Sequence, residues 1–143
     1  MNLQTQLIEF EGWRHEAYPD PLTLGDPWTI GVGATGPDVY RGLVWSDEQI
    51  TIRLAKDIAE KTAQVKAALP WFGQLNEPRQ AVIIGMCFQM GLEGLLTFKR
   101  TLGSVRDERY ADAANGMRNS LWARQTSKRA RRLADQMESG EWA

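Results

Sequence analysis

Residues 81–91 read Ala, Val, Ile, Ile, Gly, Met, Cys, Phe, Gln, Met, Gly, with Gln89 the single strongly polar side chain. A helix built from them is apolar almost all round, so other elements must enclose it. The block is too short to cross a bilayer, which takes roughly 20 apolar residues, so the enclosure has to come from the protein itself. The chain has 143 residues, a length that suits one domain built around one such core.

The segments around this block set the rest of the architecture. In residues 2–12, Leu3, Leu7, Ile8 and Phe10 recur at near-helical spacing, and Gly12 is a natural stop. Residues 13–43 change character. Pro19, Pro21, Gly25, Pro27, Gly31, Gly33, Gly36 and Pro37 punctuate short pieces. Among them Ala17-Tyr18 and residues 28–32, with Trp28, Ile30 and Val32, predict strands of a small sheet. Helical patterning resumes at Ser46, which with Gln49 forms a capping-box pair. Ile50, Leu54, Ile58 and Val65 then predict one long helix to about Leu69, ended by Pro70. Beyond the apolar block, helical pieces are expected near 95–105, 108–115, 120–123 and 128–138. The expected fold is α+β: a helix at 1–12, a small antiparallel β lobe at 13–43 and a helical lobe at 44–143, in one domain.

Composition removes several classes of function. Cys87 is the only cysteine and His15 the only histidine, which rules out an internal disulfide and argues against a thiolate or histidine metal centre. The formal net charge of −1 gives no global attraction to nucleic acid. The charge is uneven, however: residues 99–132 hold ten Lys or Arg against Asp107, Glu108 and Asp112. Arg124, Lys128, Arg131 and Arg132 are either a solvated helix face or an attraction to anionic envelope polymers. No run is long and apolar enough for a membrane span, and Glu9 and Glu11 stand where a secretory signal would be apolar. Synthesis in a reducing cytosol follows as the expectation, and a target outside it would need something else to release the protein. Trp45, Trp71, Trp122 and Trp142 read as core or rim packing, Cys87 as a buried small hydrophobe and His15 as a surface residue.

Two carboxylates in different surroundings supply what glycoside cleavage needs: a proton for the leaving oxygen and a partner for water. Glu11 ends an apolar helix, where partial desolvation favours a proton-bearing acid. Asp20 follows in a turn-rich loop, and Thr29 opens the next strand with a hydroxyl able to hold a water. On spacing alone this is weak evidence, since surface Glu and Asp are common.

The order of the residues adds more. Glu11-Gly12, then Ala17-Tyr18-Pro19-Asp20, then Trp28-Thr29-Ile30-Gly31-Val32-Gly33 resembles the signature of the phage lysozymes of T-even type, glycoside hydrolase family 24. Phe88-Gln89-Met90-Gly91 with Phe98, then Trp122, Gln125-Thr126, residues 129–132 and Gly140-Glu141-Trp142 extend the resemblance over nearly the whole chain. It implies a lysozyme-like fold and a Glu–Asp–Thr catalytic set, here Glu11 as general acid with Asp20 and Thr29 positioning water. It also implies that Phe88, Gln89, Thr101 and Gln125 line the saccharide cleft and that Arg129 pairs with the acid. The implied reaction is hydrolysis, usually with inversion, of the β-1,4 bond between N-acetylmuramic acid and N-acetylglucosamine in peptidoglycan, without metal or organic cofactor. A monomer is expected, acting on glycan strands and lysing bacteria.

Three departures from the family pattern accompany the match. Eight residues separate Asp20 from Thr29, more than in the shorter members, and they introduce Asp26 as a rival carboxylate. Spacing from Glu11 favours Asp20, because loops absorb insertions readily. Ala34 stands where many members carry His, and Leu22 where some carry a polar residue. Two other activities remain open: a lytic transglycosylase, which ends on an anhydro sugar, and a non-catalytic cationic protein that binds walls or disrupts membranes.

Overall fold

The computed structural model describes all 143 residues, Met1–Ala143. In chain order the elements are α1 (Leu3–Glu11), β1 (Arg14–Tyr18), β2 (Thr29–Gly31), α2 (Asp47–Ala68), a 3-10 turn (Phe72–Gln74), α3 (Glu77–Leu96), α4 (Lys99–Arg106), α5 (Tyr110–Arg118), α6 (Leu121–Gln125) and α7 (Ser127–Ser139). The fold is therefore α+β, mostly helical, with a two-stranded antiparallel sheet near the N-terminus. The chain forms two compact units, Gln4–Glu60 and Lys61–Ala143, the latter joined by Met1–Leu3. No single helix is long and apolar enough to cross a membrane.

In the first unit, α1 stops where Gly12 turns to a φ of +86° and its N–H donates to the Ile8 carbonyl at 2.8 Å. That left-handed cap is open to glycine at no steric cost. The strands pair with Arg14 opposite Gly31 and Tyr18 opposite Thr29, so β1 is longer than the stretch it faces and bulges between those two points. Ile30, Ala34 and Val39 form a small buried cluster, covered by Ala17, Trp28, Leu43 and Trp45. The start of α2 carries the reciprocal cap expected of Ser46 and Gln49. Gln49 N–H donates to Ser46 Oγ at 3.2 Å, and Ser46 N–H to Gln49 Oε1 at 2.8 Å. One turn further on, Arg53 pins α2 to the segment after β2. It donates to Asp38 at 2.7 Å, to Asp57 at 2.9 Å and to the Thr35 carbonyl at 2.7 Å.

In the second unit, Asn76 caps α3 by accepting from Arg79 N–H at 3.1 Å, with Pro78 in the first turn where a missing N–H costs nothing. Residues 81–87 are buried without exception, as an all-round apolar helix requires. Gly91 then leaves helical geometry with φ +76° and ψ 167°, breaking α3. The expected helical piece at 95–105 is in fact divided. Leu96 ends α3 and Lys99 starts α4. Between them the Thr97 hydroxyl donates to the Gly94 carbonyl at 2.6 Å and Phe98 adopts a ψ of 53°. α4 consequently departs from α3 at 105°. The piece expected at 108–115 begins only at Tyr110, because Glu108 has a φ of +60°. Gly140 ends α7 in the left-handed conformation. Arg79 ties the two ends of the unit together, donating to the carbonyls of Met137 and Glu138 at 2.8 and 2.9 Å while lying over the Tyr110 ring.

Candidate active site

Glu11 is the last residue of α1 and is half-buried. Its carboxyl lies against the backbone of Gly33, just past β2. A Cβ added at Gly33 would come within 2.8 Å of Glu11 Oε2 and 3.1 Å of its Cδ. Gly33 also has a φ of +66°, so the position suits glycine on both counts. The helix end and the turn after β2 thus meet at the side chain named as the acid.

Thr29, the first residue of β2, is half-buried and faces Tyr18 across the sheet. The Thr29 hydroxyl lies near enough to the Tyr18 phenol to favour its ionised form. Burial pushes the Tyr18 phenol above its ordinary range and the charge of Glu11 adds to that, while Arg14 and the neighbouring Thr29 hydroxyl act in the opposite sense. The Arg14 guanidinium sits 4.5 Å from the centre of the Tyr18 ring. Glu11, Tyr18 and Thr29 therefore form one group, carried by α1, β1 and β2.

Asp20 lies two residues past the end of β1, in a tight turn that its own carboxylate organises. Oδ1 accepts from Leu22 N–H at 2.8 Å and Thr23 N–H at 3.1 Å, while its carbonyl accepts from Leu24 N–H at 2.8 Å. This Asx-type arrangement fixes the carboxylate and leaves Oδ2 outside those two bonds. The inserted loop then carries Leu22 and Leu24 out into solvent, 93% and 78% exposed. Asp26, the rival carboxylate, is exposed at the end of that loop.

The residues expected to meet saccharide belong to the second unit. Phe88 and Gln89 are half-buried on α3, past its fully buried stretch. Gln89 Oε1 accepts from Trp122 Nε1 at 2.9 Å, and the Trp122 ring meets Phe98 edge-on at 6.0 Å. These aromatics, with Met90, Ser120 and Gln125, line a groove of about 440 Å³. Gln125 is exposed at the end of α6. Arg129 is half-buried on α7 and donates to the Gly85 carbonyl at 3.2 Å. Thr101 is buried on α4, its hydroxyl packed where a Cβ at Gly116 would clash at 2.5 Å.

The remaining readings fall into place around these groups. Trp122 is buried, Trp45 packs on the Ile30 cluster, and Cys87 is buried with its thiol pushed up by that burial. His15 is exposed and lies 2.5 Å from Asp47 Oδ1, which also accepts from Trp13 Nε1 at 2.8 Å. Those two partners, Trp13 first, hold the Asp47 carboxyl below its usual range. The part of the site that sequence reasoning passed over is Tyr18. It appeared there as a strand residue and as part of the Ala17-Tyr18-Pro19-Asp20 stretch, with no role of its own, and its pairing with Thr29 depends on a bulged register that residue order does not reveal.

A family model described as phage lysozyme matches residues 8–138. Among similar proteins, a probable T4-type lysozyme of Dictyostelium discoideum is 39% identical over 69 residues, 48% of this chain and 41% of that protein. The peptidoglycan hydrolase gp36 of Pseudomonas phage phiKMV is 28% identical over 138 residues, 95% of this chain and 15% of its own length. The pre-baseplate central spike protein Gp5 of Enterobacteria phage T4 is 30% identical over 157 aligned positions, 93% of this chain and 27% of its own length. The chain spans less than half the length of each of these relatives.

Proposed function

This chain belongs to the phage lysozyme family, and from that premise we propose that it hydrolyses the β-1,4 bond between N-acetylmuramic acid and N-acetylglucosamine in bacterial peptidoglycan. The observation that carries the reading is the seat of Glu11. Its carboxyl rests on Gly33 near the paired strand residues Tyr18 and Thr29, with the fixed carboxylate of Asp20 two residues past β1.

In this reading Glu11 donates its proton to the leaving glycosidic oxygen. Asp20 receives a proton from the attacking water, and Thr29 holds that water in place. The bond to the leaving sugar breaks as the water oxygen bonds to the anomeric carbon, inverting it. Phe88, Gln89, Gln125 and Arg129 supply binding contacts, and Thr101, packed against α5, belongs to the same set. A muramic residue carries a stem peptide, and the groove lined by Trp122 and Phe98 has the apolar character to receive part of so large a substrate.

The wider setting is part of the same proposal. The enzyme acts as an endolysin, made in the host cytoplasm and reaching the wall through a separate pore of holin type. It works as a monomer, and exposed basic residues of α6 and α7 draw it to anionic envelope polymers. The gp36 protein, a peptidoglycan hydrolase by name, aligns along nearly the whole chain and supports the choice of substrate.

The decisive test is turbidity clearing of purified peptidoglycan by wild type and Glu11→Gln. We expect the variant to fold with an unchanged melting temperature and to lose at least about a thousandfold in rate. Mass spectrometry of the digest should show hydrated reducing ends. Anhydro ends would assign the chain to transglycosylation instead. Bacterial killing by Glu11→Gln at the wild-type rate would replace the enzyme reading with a non-catalytic one.

A further inference from the structure

We propose that Arg53 is a positioning residue for the hydrolysis, holding the turn on which the Glu11 carboxyl rests. The inference depends on the function proposed above and concerns what keeps its acid in place. All the residues involved lie in the first unit, Gln4–Glu60. Arg53 stands on α2 and acts through the backbone of Thr35 and Gly33, not on the substrate.

The demand comes from the closeness of the seat. Gly33 has no room for even a methyl group: an added Cβ would stand 2.8 Å from Glu11 Oε2, 3.1 Å from Cδ and 3.2 Å from Cγ. A turn packed so closely passes its own displacement on to the acid. Residues 30–34 close on themselves through two backbone bonds. Ile30 N–H donates to the Ala34 carbonyl and Ala34 N–H to the Ile30 carbonyl, both at 2.9 Å. Ile30 and Ala34 are anchored in the small buried cluster. β2 ends at Gly31, so past Ala34 the chain has left the sheet and needs another anchor.

Arg53 is that anchor. Its Nη2 donates to the Thr35 carbonyl, two residues past Gly33, at 2.7 Å. The rest of the guanidinium fixes the direction of that bond. Nε donates to Asp57, one turn further along α2, at 2.9 Å, and Nη1 donates to Asp38 at 2.7 Å. A planar guanidinium held by two carboxylates keeps one orientation, and its remaining N–H groups are aimed in advance. Only 16% of the Arg53 side chain and 17% of that of Asp57 are exposed, so water competes little for this pair. The Trp45 ring, its centre 5.6 Å from the guanidinium carbon, lies alongside. Gly36 leaves the space for Asp38, since a Cβ there would lie 3.0 Å from Asp38 Oδ1. A lysine would keep the charge, but its ammonium has no fixed fork with which to aim at the carbonyl.

The test uses the full chain on purified peptidoglycan, well below the lowest melting temperature of the set. The variants are Arg53→Lys, Arg53→Gln, Gly33→Ala, Gly33→Ala with Arg53→Lys, Ser46→Ala and Glu11→Gln. We expect kcat to fall about tenfold in Arg53→Gln and severalfold in Arg53→Lys, with KM within about a factor of two, since a displaced acid costs rate and spares binding. Arg53→Lys keeps a cation between the two carboxylates and carries the test if Arg53→Gln does not fold. Ser46→Ala weakens the start of the same helix without touching the turn and should keep the wild-type kcat. Where Gly33→Ala has already displaced the acid, Arg53→Lys should cost less than it does alone. Wild-type kcat in Arg53→Lys, a loss confined to KM, an equal loss in Ser46→Ala, or losses that multiply in the double variant would overturn the proposal. If Glu11→Gln is inert while the Arg53 variants are unimpaired, only this inference falls. If Glu11→Gln retains its rate, the hydrolase reading falls and the role of Arg53 falls with it.

Discussion

Gly33 shows how much of this site depends on one missing methyl group. A Cβ there would enter the space held by the Glu11 carboxyl, 2.8 Å from Oε2, on a backbone already at φ +66°. Left-handed geometry costs a non-glycine residue about 1–2 kcal/mol, and the clash has to be relieved by moving the acid. Gly33→Ala should therefore lose stability by about that amount and lose activity by more than tenfold, since a misplaced catalytic group is costly in rate. Thermal unfolding and peptidoglycan clearing measure the two effects separately. Full activity in the destabilised variant would show that the acid tolerates displacement. The choice between carboxylates belongs to the same scale. Asp20 is fixed by two backbone N–H groups, whereas Asp26 stands exposed beyond the loop. Asp20→Asn should reduce kcat by at least about a hundredfold, and Asp26→Asn should leave it within a factor of about three. The reverse order of severity would reassign the water-handling role to Asp26.

The elements that place these residues were legible to different degrees, and the differences have physical causes. Local rules were readable in full. Gly12 closes α1 through its own left-handed turn, and Ser46 and Gln49 cap α2 through side chains three residues apart. Such features depend on neighbours in the chain alone. Breaks inside apolar stretches were not readable. Gly91 and Phe98 interrupt helices whose hydrophobic pattern continues across them. The Tyr18–Thr29 pairing was hidden for another reason: a bulge sets its register, and a shift of one residue would have turned Thr29 to the other face. Glu11, Thr29 and Thr101 were named through residue order and resemblance, and the structure buries Thr101 while leaving the other two half-buried. The cap on α2 gives a direct check of the local rules. Ser46→Ala removes the acceptor for Gln49 N–H and should cost about 1 kcal/mol. That corresponds to roughly 2–4 °C in melting temperature, with specific activity unchanged. A larger loss, or a loss of activity, would mean that this helix start does more than begin α2.

At the scale of the whole molecule, charge is distributed in a way that the net value conceals. The sum is −1, yet Arg124, Lys128 and Arg131 stand exposed on α6 and α7. Exposed charges of this kind add little to stability, but they create a field that guides an anionic partner during approach. That field is screened over about 10 Å at 0.1 M salt and over a few ångströms near 1 M. If these residues draw the protein to the envelope, replacing all three with Gln should slow the clearing of intact walls several-fold at low ionic strength. The deficit should shrink as salt is added, until variant and wild type coincide. Cleavage of a short uncharged glycan should proceed equally in both at every salt concentration, because the chemistry proposed for Glu11, Asp20 and Thr29 does not draw on this field. A deficit that persists in high salt would show that the three side chains make short-range contacts. No deficit at low salt would leave them as an ordinary solvated helix face.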